Sequence, residues 1–477
     1  MTPASGPFAP PPERRMFCNR TLNMRSIRAV GFDMDYTLVH YDVKAWEARA
    51  YAHVRRKLLA LGLPVGELRF EPEAFARGLV LDLALGNVVK ASRFGYVMQA
   101  AHGMRMLSHE EQRKAYAQVW VDLAEPRWVF LNTLFSLSEA CLYAQLVDLR
   151  DAGRLGSELD YAALHGLVGR AMGAAHLEGE LKAEIIADPE RFVELDPDLP
   201  RALLDLKHAG KRLFLATNSE WNYTVAMMRH TFERFLPERD WRGLFELVIV
   251  QAGKPGFFES DRPFERLDEQ GRTTPHDGTL SADAVHSGGN SRLVQEHLGL
   301  EGGEILYVGD HAYADVHVSS RIRRWRTVLV LRELEEEVRH EEAFLASQQQ
   351  LNGLMAEKER LDQEKAVLRL ALLRLEHDEP VPTGAPTTPA ALHERLRTLR
   401  SEGEALDQRI ATLASAAGRL GHTRWGPLMR AGGDKSRLAR EIEGHADVYT
   451  SRVSNFLALT PFGYLRAARG NLPHDAR

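Results

Sequence analysis

The sequence predicts an α/β protein with a parallel sheet, a long helical segment after the first strand and a helical hairpin in its C-terminal third. Three observations support this prediction. Short apolar runs that end in turn residues alternate with helical patterns, which is typical of parallel strands. From residue 44 to about 188, apolar and charged residues recur at spacings of three and four, which indicates helices. Later in the chain, leucines recur every seven residues, as they do in paired helices.

The composition is that of a globular protein and excludes several classes. Of the 477 residues, 44% are hydrophobic and 27% are charged, which excludes collagen, mucins and wholesale disorder. The net charge of −5 provides neither a basic surface for nucleic acid nor a polybasic membrane anchor. Only Cys18 and Cys141 are cysteines, so a disulfide framework and a Cys-rich zinc site are excluded.

No apolar run approaches the roughly 18 residues of a membrane span, and residues 1–17 lack the apolar core of a secretory signal. We therefore expect a cytoplasmic protein with reduced thiols that binds neither membranes nor nucleic acid.

The strand-like runs divide the chain. Residues 1–20, with five prolines before Glu13, are expected to form a flexible arm. The first run is Ile27–Phe32, and the later runs are Arg212–Ala216, Leu247–Val250, Ile305–Val308 and Thr327–Leu331. Ligands of parallel sheets lie outside the carboxyl ends of the strands. The polar residues that follow the first four runs are therefore predicted to converge on one site.

Two heptad segments predict a helical hairpin over residues 336–425. The leucines spaced by seven are Leu354, Leu361, Leu368 and Leu375, and then Leu392, Leu399, Leu406, Leu413 and Leu420. A Pro-rich break separates the segments, which favours two antiparallel helices within one chain. Pairing with a partner coiled coil is the alternative. The tail, residues 426–477, is predicted to contain a helix that returns to the core.

The predicted strand ends carry a set of residues typical of phosphoryl transfer. In order they are Asp33 and Asp35, Thr217, Lys254, and Asp310 with Asp315 five residues later. Any one of them alone is more often a turn residue or a surface charge. Acids, a hydroxyl and a lysine together at the ends of parallel strands favour chemistry.

Each residue type suits one step of that chemistry. Asp33 can attack phosphorus and form an aspartyl-phosphate. Asp35 can protonate the leaving oxygen and then deprotonate the water that cleaves the intermediate. Grouped carboxylates repel one another unless a cation lies among them, and Mg²⁺ prefers oxygen ligands. Lys254 would neutralise the anionic oxygens, while Thr217 and backbone N–H groups would position them.

These motifs together resemble the haloacid dehalogenase (HAD) superfamily. More closely, the chain resembles the cytosolic purine 5′-nucleotidases that prefer IMP and GMP. The matching stretches include GFDMDYTLVHY, RGLVLDLALGNVVK, FLNTLFSLSEA, FLATNSEWNYT, KPGFF, SGGNS, YVGDHAYADV and HADVYTSRVSNFLALTPFGYLRAA. The resemblance extends from about residue 25 to 470.

The resemblance implies a Rossmann-like core, formed by residues 21–43 and 189–335, and a large, mainly helical cap over residues 44–188. It implies Mg²⁺-dependent hydrolysis of nucleoside 5′-monophosphates, together with phosphotransferase activity. Asp33 falls on the nucleophile and Asp35 on the acid/base. The implied metal ligands are Asp33, the main-chain carbonyl of Asp35, and Asp310.

The implied phosphate-binding positions are Thr217, Asn218 and Lys254, with Ser219 beside them, and Asp315 falls on the second acid of the last motif. Homo-oligomers are also expected.

For the purine base, Phe135 matches a stacking aromatic and Lys182 a base-side lysine. Gly169 and Gly173 occupy positions where the family has an arginine and an aspartate, and Arg170 is the candidate substitute for the arginine. Losing a polar partner weakens discrimination between substrates.

Two other functions stay open. One is a HAD phosphatase for a different ester, such as a pyrimidine nucleotide or a sugar phosphate. The other is an interaction protein that works through its heptad hairpin and has a vestigial site.

Overall fold

The fold is described from a computed structural model, which covers residues 9–468 apart from 157, 178, 237–239, 269 and 275–278. The chain divides into two compact units. Met1–Glu335 and Leu428–Arg477 form the first unit, and Glu336–Pro427 forms the second.

A mixed, mostly parallel sheet forms the centre of the first unit. The described residues contribute ten strands: β1 Phe17–Cys18, β2 Ala29–Phe32, β3 Arg212–Ala216, β4 Leu247–Val250, β5 Phe264–Leu267, β6 Thr273–Thr274, β7 Val285–Gly288, β8 Ile305–Gly309, β9 Arg326–Val330 and β10 Val448–Thr450. Their order across the sheet is β1-β10-β9-β8-β2-β3-β4-β7-β5-β6. The pairings of β1 with β10, β7 with β5 and β5 with β6 are antiparallel. Every pairing along the run β10-β9-β8-β2-β3-β4-β7 is parallel. The predicted Rossmann-like α/β fold with a mostly parallel sheet is confirmed.

The middle strand, β2, fixes the position of Asp33, which follows it directly. All four of its residues are buried, and it pairs with β8 on one side and β3 on the other. Gly31 leaves room for its neighbour, because a Cβ there would lie 2.2 Å from the ring of Phe214. The N–H of Asp33 extends the pairing beyond the strand by donating to the carbonyl of Val308 at 2.9 Å. Asp33 is therefore held at the centre of the core.

Helices alternate with these strands. Outside the segment between β2 and β3, the α-helices of the first unit are Leu199–His208, Trp221–Phe232, Gly256–Glu259, Ser291–Leu298, Val318–Arg323, Arg437–His445 and Phe456–Leu459. A π-helical turn, Ala312–His317, follows β8. Across the described ranges, no helix combines the length and the apolar composition that crossing a membrane requires.

The segment between β2 and β3 is only partly helical. Its helices are Val43–Ala60, His109–Tyr116, Leu137–Asp151, Tyr161–Leu177, Glu180–Ala187 and Pro189–Phe192. Its described residues also form a five-stranded antiparallel sheet of Val80–Asp82, Asn87–Ala91, Val97–His102, Arg105–Met106 and Trp128–Phe130. The prediction of a mainly helical segment overlooked this sheet. Asn87–Ala91 is buried throughout, so it lacks the alternation that identifies a strand in sequence.

Both ends of the chain contribute strands, which corrects two predictions. β10 pairs with β9, so the tail predicted as a returning helix also extends the central sheet. β1 pairs with β10, so the predicted flexible arm contains a strand, while residues 1–8 of that arm lie outside the described residues. Three small antiparallel pairs complete the described strands: Leu22–Asn23 with Tyr464–Leu465, His40–Tyr41 with Val193–Glu194, and Arg430–Ala431 with Asp434–Lys435.

The second unit consists of two antiparallel helices. They belong to Leu334–Glu376 and Pro389–Ala417, which residues 377–388 join. The predicted heptad positions form the buried contact between them, which includes Leu354, Leu361, Leu368, Leu392, Leu399 and Leu406. Arg395 and Glu364 form an ion pair across the two helices at 2.7 Å. In this unit the heptad leucines therefore pack within one chain.

Candidate active site

The strand ends bring the predicted polar residues to one edge of the central sheet. Asp33 follows β2, Thr217 follows β3, Lys254 lies four residues after β4, and Asp310 follows β8. All four residues are buried. Because β4, β3, β2 and β8 are consecutive parallel neighbours, their carboxyl ends meet at the same edge.

The ammonium group of Lys254 lies between two carboxylates. Its Nζ is 2.7 Å from Oδ1 of Asp33 and 2.7 Å from Oδ1 of Asp315, and it also donates to the hydroxyl of Tyr307 at 3.2 Å. Asn218 holds the lysine main chain, because its Oδ1 accepts the N–H of Lys254 at 2.7 Å and its Nδ2 donates to the carbonyl at 3.1 Å. The lysine is therefore fixed at both its backbone and its charged end.

Asp35 is held by two hydroxyl groups. The hydroxyl of Tyr41 donates to Oδ1 at 2.5 Å, and that of Ser219 donates to Oδ2 at 2.8 Å. Tyr223 in turn donates to Tyr41 at 3.0 Å. The N–H of Ser219 donates to Oγ1 of Thr217 at 3.1 Å. Ser219, which the resemblance placed beside the phosphate, thus contacts Asp35.

Burial controls the ionisation of this cluster. It raises the pKa of Asp33 to about 7; Lys254 opposes that rise, and Asp315 and Asp35 add to it. Burial, with the charges of Asp315 and Asp33, also raises the pKa of Asp310 well above its ordinary value. Burial lowers the pKa of Lys254, but Asp315 and Asp33 outweigh it and hold that pKa well above its ordinary value. A buried cation among the acids would favour their charged forms.

The donor chemistry of this cluster fits Mg²⁺. In the part of the chain that the structure describes, Asp33, Asp310 and Asp315 each offer a carboxylate oxygen, and these oxygens lie within 4.8 Å of one another. Oxygen ligands suit a hard cation. Both oxygens of Asp315 already contact the chain, since Oδ1 accepts from Lys254 and Oδ2 accepts from the N–H of His311 at 3.1 Å. Asp33 and Asp310 are therefore the better candidates for ligands.

Phe135 is connected through an aromatic contact to the acidic cluster, which consists of Asp33, Asp35, Asp310 and Asp315. Its ring lies edge-on to Tyr36, with centroids 4.6 Å apart, and edge-on to Trp46 at 4.5 Å. Tyr36 directly follows Asp35 in the chain. The residue predicted to stack on a purine thus lies close to the residues predicted to carry the chemistry, with its ring oriented by two others.

Lys182 and Arg170 are placed differently. Nζ of Lys182 is 2.5 Å from Oε2 of Glu220, which follows Ser219, and it lies 4.9 Å from the centroid of the Tyr223 ring. Lys182, which belongs to the cap segment, therefore lies close to the residues that follow Ser219. Arg170 is exposed on the helix Tyr161–Leu177, and no contact of the described residues joins it to the acidic cluster.

A model of the 5′ nucleotidase family matches residues 16–477. The chain belongs to this family. Membership confirms the predicted resemblance and the predicted enzyme class, a phosphoric monoester hydrolase, and it supports nucleotide phosphatase activity.

Relatives in this family are similar over most of the chain. A 5′-nucleotidase domain-containing protein of Dictyostelium discoideum is 27% identical over 481 residues, which cover 96% of this chain and 74% of that protein. The 5′-nucleotidase domain-containing protein 2 of Homo sapiens is 31% identical over 361 residues, which cover 71% of this chain and 68% of the human protein.

Solved structures with partial similarity include a haloacid dehalogenase-like hydrolase from Streptococcus pneumoniae and a predicted phosphoglycolate phosphatase from Haemophilus somnus. The first has a TM-score of 0.26 at 10% identity, and the match covers 64% of this chain and 86% of that chain. The second has a TM-score of 0.27 at 14% identity, and the match covers 64% of this chain and 85% of that chain. Such scores do not establish a shared architecture, whereas the strand order and strand-end residues define the fold directly.

In this 5′-nucleotidase family member, several residues around the acids were not predicted. Tyr307 contacts Lys254 and donates to the carbonyl of Ala216 at 3.0 Å, and its phenol within a buried, otherwise apolar strand was the available signal. Tyr41 and Tyr223, which support Asp35, come from segments far apart in sequence, so only the fold brings them together. Arg77, whose Nη2 donates to the main-chain carbonyl of Asp310, likewise has no local pattern that connects it to that residue.

Proposed function

We propose that this protein hydrolyses purine nucleoside 5′-monophosphates, such as IMP and GMP, to a nucleoside and phosphate, with Mg²⁺ and through a phosphorylated Asp33. One observation carries the proposal. Asp33 lies against a buried lysine that a second acid also holds, while Asp35, two residues later, is aligned by two hydroxyl donors. This is the arrangement that a carboxylate nucleophile and a separate acid/base require.

Asp33 would attack the phosphorus of the substrate. The bond between its carboxylate oxygen and phosphorus forms, the bond from phosphorus to the nucleoside 5′-oxygen breaks, and Asp35 supplies the proton to that oxygen. Lys254 would neutralise the nucleophile and the phosphoryl oxygens, and Thr217 would orient them. When bound, Mg²⁺ would screen the carboxylates from the anionic substrate and stabilise the charge that develops on the phosphoryl group. Asp33, the main-chain carbonyl of Asp35, and Asp310 would hold it.

In the second step, Asp35 would take a proton from water, whose oxygen attacks phosphorus and releases Asp33. The hydroxyls of Tyr41 and Ser219 each donate to one oxygen of Asp35 and so hold its carboxyl group in position for both proton transfers. If a nucleoside hydroxyl replaces water, the same step becomes phosphotransfer.

For the base, we propose that Phe135 stacks on the purine and that Lys182 lies at its edge. Asn218 and Ser219 would support the phosphate end through Lys254 and Asp35. The role of Arg170 at the purine edge stays a prediction. The cytoplasmic location and the homo-oligomer also stay predictions.

A second candidate is a phosphatase for another phosphate ester. The observation that favours it is the open space at Gly169 and Gly173, where an added Cβ would meet none of the described atoms within 4 Å outside the helix's own backbone. No acid occupies position 173, and Arg170 is exposed. A less polar base site would discriminate less against other substrates.

A substrate panel distinguishes the candidates. Released phosphate is measured for IMP, GMP, a pyrimidine nucleotide and a sugar phosphate, with wild type and with Asp33→Asn as the matched control. We expect IMP and GMP to be hydrolysed best and the variant to be inactive but folded. Poor turnover of both purine nucleotides beside good turnover of another ester would refute the purine proposal. Turnover of no ester would favour the interaction protein.

A further inference from the structure

Arg77 connects three segments near the acidic cluster. Its side chain is 1% exposed. Nε donates to the main-chain carbonyl of Asn132 at 2.8 Å, and Nη2 donates to the main-chain carbonyl of Asp310. Nη1 lies 3.7 Å from Oε2 of Glu333, which follows β9. One guanidinium therefore contacts the segment that leads to Phe135 and the loop that carries Asp310.

The cap sheet explains how Arg77 reaches Asn132. The strands Val80–Asp82 and Trp128–Phe130 are paired, with Val80 opposite Phe130. Main-chain bonds continue past the strand ends, since the N–H of Gly78 donates to the carbonyl of Leu131 at 2.7 Å. Arg77 and Asn132 therefore lie next to each other where the cap sheet meets the core. Phe135 follows Asn132 by three residues.

The contact with Asp310 is made through its main chain, which leaves the carboxylate of that residue available for a cation. Fixing this carbonyl fixes the backbone from which the carboxylate projects. Residues that orient a metal ligand affect metal binding strongly, and replacing them commonly costs 10–100-fold in affinity or activity, as an order of magnitude. The rigid, planar fork of an arginine holds two carbonyls in a fixed relative geometry, which the compact, rotatable ammonium of a lysine does not impose.

The charge on Arg77 has a buried partner as well. Both carboxylate oxygens of Glu333 are buried, and neither has a hydrogen-bond partner among the described residues. Arg77 is the cation beside them. A buried guanidinium near such a carboxylate is less costly than an unpaired one. Glu333 therefore offsets the charge of Arg77, and the two carbonyls determine its orientation.

We propose that Arg77 is a positioning residue that joins the loop that carries Asp310 to the segment that leads to Phe135. Binding of the cation and binding of the nucleotide then both depend on the guanidinium of Arg77. This inference rests on the proposed function for the roles of Asp310 and Phe135. It predicts that loss of the fork weakens two binding events at sites on different parts of the chain.

A simple structural role is the alternative, and Arg127 provides the matched control. Arg127 also makes two charged hydrogen bonds, at 2.7 Å each, to the buried Asp82 of the cap. Among the described residues, it contacts none that we place in the site. Arg127→Lys removes a fork of the same kind from the cap sheet without touching Asp310 or Asn132.

The experiment compares Arg77→Lys with Arg127→Lys in the full-length protein. Mg²⁺ binding is measured by titration calorimetry, the folded state by circular dichroism and thermal unfolding, and the KM and kcat for IMP by phosphate release. For Arg77→Lys we expect the Kd for Mg²⁺ to rise about tenfold or more, together with a higher KM. For Arg127→Lys we expect both to stay within about twofold of wild type, at a comparable loss of thermal stability.

Unchanged Mg²⁺ binding and an unchanged KM in folded Arg77→Lys would overturn the inference, as would equal effects from the two variants. Should Arg77→Lys not fold, Arg77→Gln takes its place under the same criteria. If wild type fails to hydrolyse IMP but binds Mg²⁺, the proposed function fails, and calorimetry on the variants still decides whether Arg77 supports the metal site.

Discussion

Replacing Glu47 with glutamine should make the stability of the protein less dependent on pH. Glu47 lies in the helix Val43–Ala60 and is fully buried. Its Oε2 accepts the N–H of Ser138 at 2.6 Å, and its Oε1 has no hydrogen-bond partner among the described residues. A carboxylate in this position would be poorly compensated, so the folded chain favours the protonated acid.

The size of the effect follows from the two pKa values. Burial raises the pKa of Glu47 from its ordinary 4.5 to about 8, and the hydrogen bond from Ser138 opposes this only in part. Between these values the folded chain binds one more proton than the unfolded chain. The free energy of unfolding therefore falls by about 1.4 kcal/mol for each pH unit gained. From about pH 5.5 to about pH 7.5, Glu47 alone should cost the wild type about 3 kcal/mol.

Glutamine has nearly the same shape, can still accept from Ser138 and does not ionise. Relative to wild type, Glu47→Gln should therefore gain about 3 kcal/mol of stability across that pH range. Denaturant unfolding at several pH values, followed by circular dichroism, measures this difference. A constant difference between Glu47→Gln and wild type would refute the reasoning.

Glu335 supplies the control for this series. Burial would raise its pKa, but Arg452 and Arg332 outweigh burial and lower the pKa to about 2. Its stabilising contribution is present above the unfolded value of 4.5 and is lost only as the pH falls towards 2. Glu335→Gln should thus differ from wild type by a nearly constant amount from about pH 5.5 to about pH 7.5.

Four further substitutions test the site itself. Lys254→Met should lower kcat for IMP by about 10²–10³-fold, because the charge that neutralises Asp33 and the phosphoryl group is lost; a folded variant with unchanged kcat would contradict this. Phe135→Ala should raise KM about tenfold with little change in kcat, since base stacking is worth roughly 1–3 kcal/mol, and a change confined to kcat would argue against stacking. Tyr41→Phe should lower kcat about tenfold, because Asp35 loses one of its two hydroxyl donors at a cost of about 1.5 kcal/mol. Ser219→Ala removes the other donor and serves as the companion variant. Wild-type rates for both variants would exclude a role for these donors.

The core of the fold and the acids of the site could be predicted because their signals are local. Each predicted core strand is a short buried run that ends in polar residues, and parallel strands bring such ends together regardless of what lies between them. Asp33 and Asp310 follow directly from this rule. The strand β10 was missed because three residues between helical patterns carry too little signal.

The surroundings of these acids could not be predicted, because they depend on contacts between distant segments. Tyr223 supports Asp35 only through Tyr41, and the two tyrosines are 182 residues apart. Arg77 reaches Asp310 across 233 residues. No periodicity or turn pattern encodes such pairs. The cap sheet was missed for a different reason, since its strand Asn87–Ala91 is buried throughout and lacks the alternation that identifies a strand.

The most direct measurement traps the phosphorylated protein. Wild type and Asp33→Asn are mixed with IMP that carries a labelled phosphate, quenched in acid within the first turnover, and analysed for label bound to the protein and for its position. We predict acid-stable label on Asp33 of the wild type and none on the variant, which should also release no phosphate. Release of phosphate by the wild type with label on another residue, or sustained hydrolysis by Asp33→Asn, would contradict a mechanism through a phosphorylated Asp33.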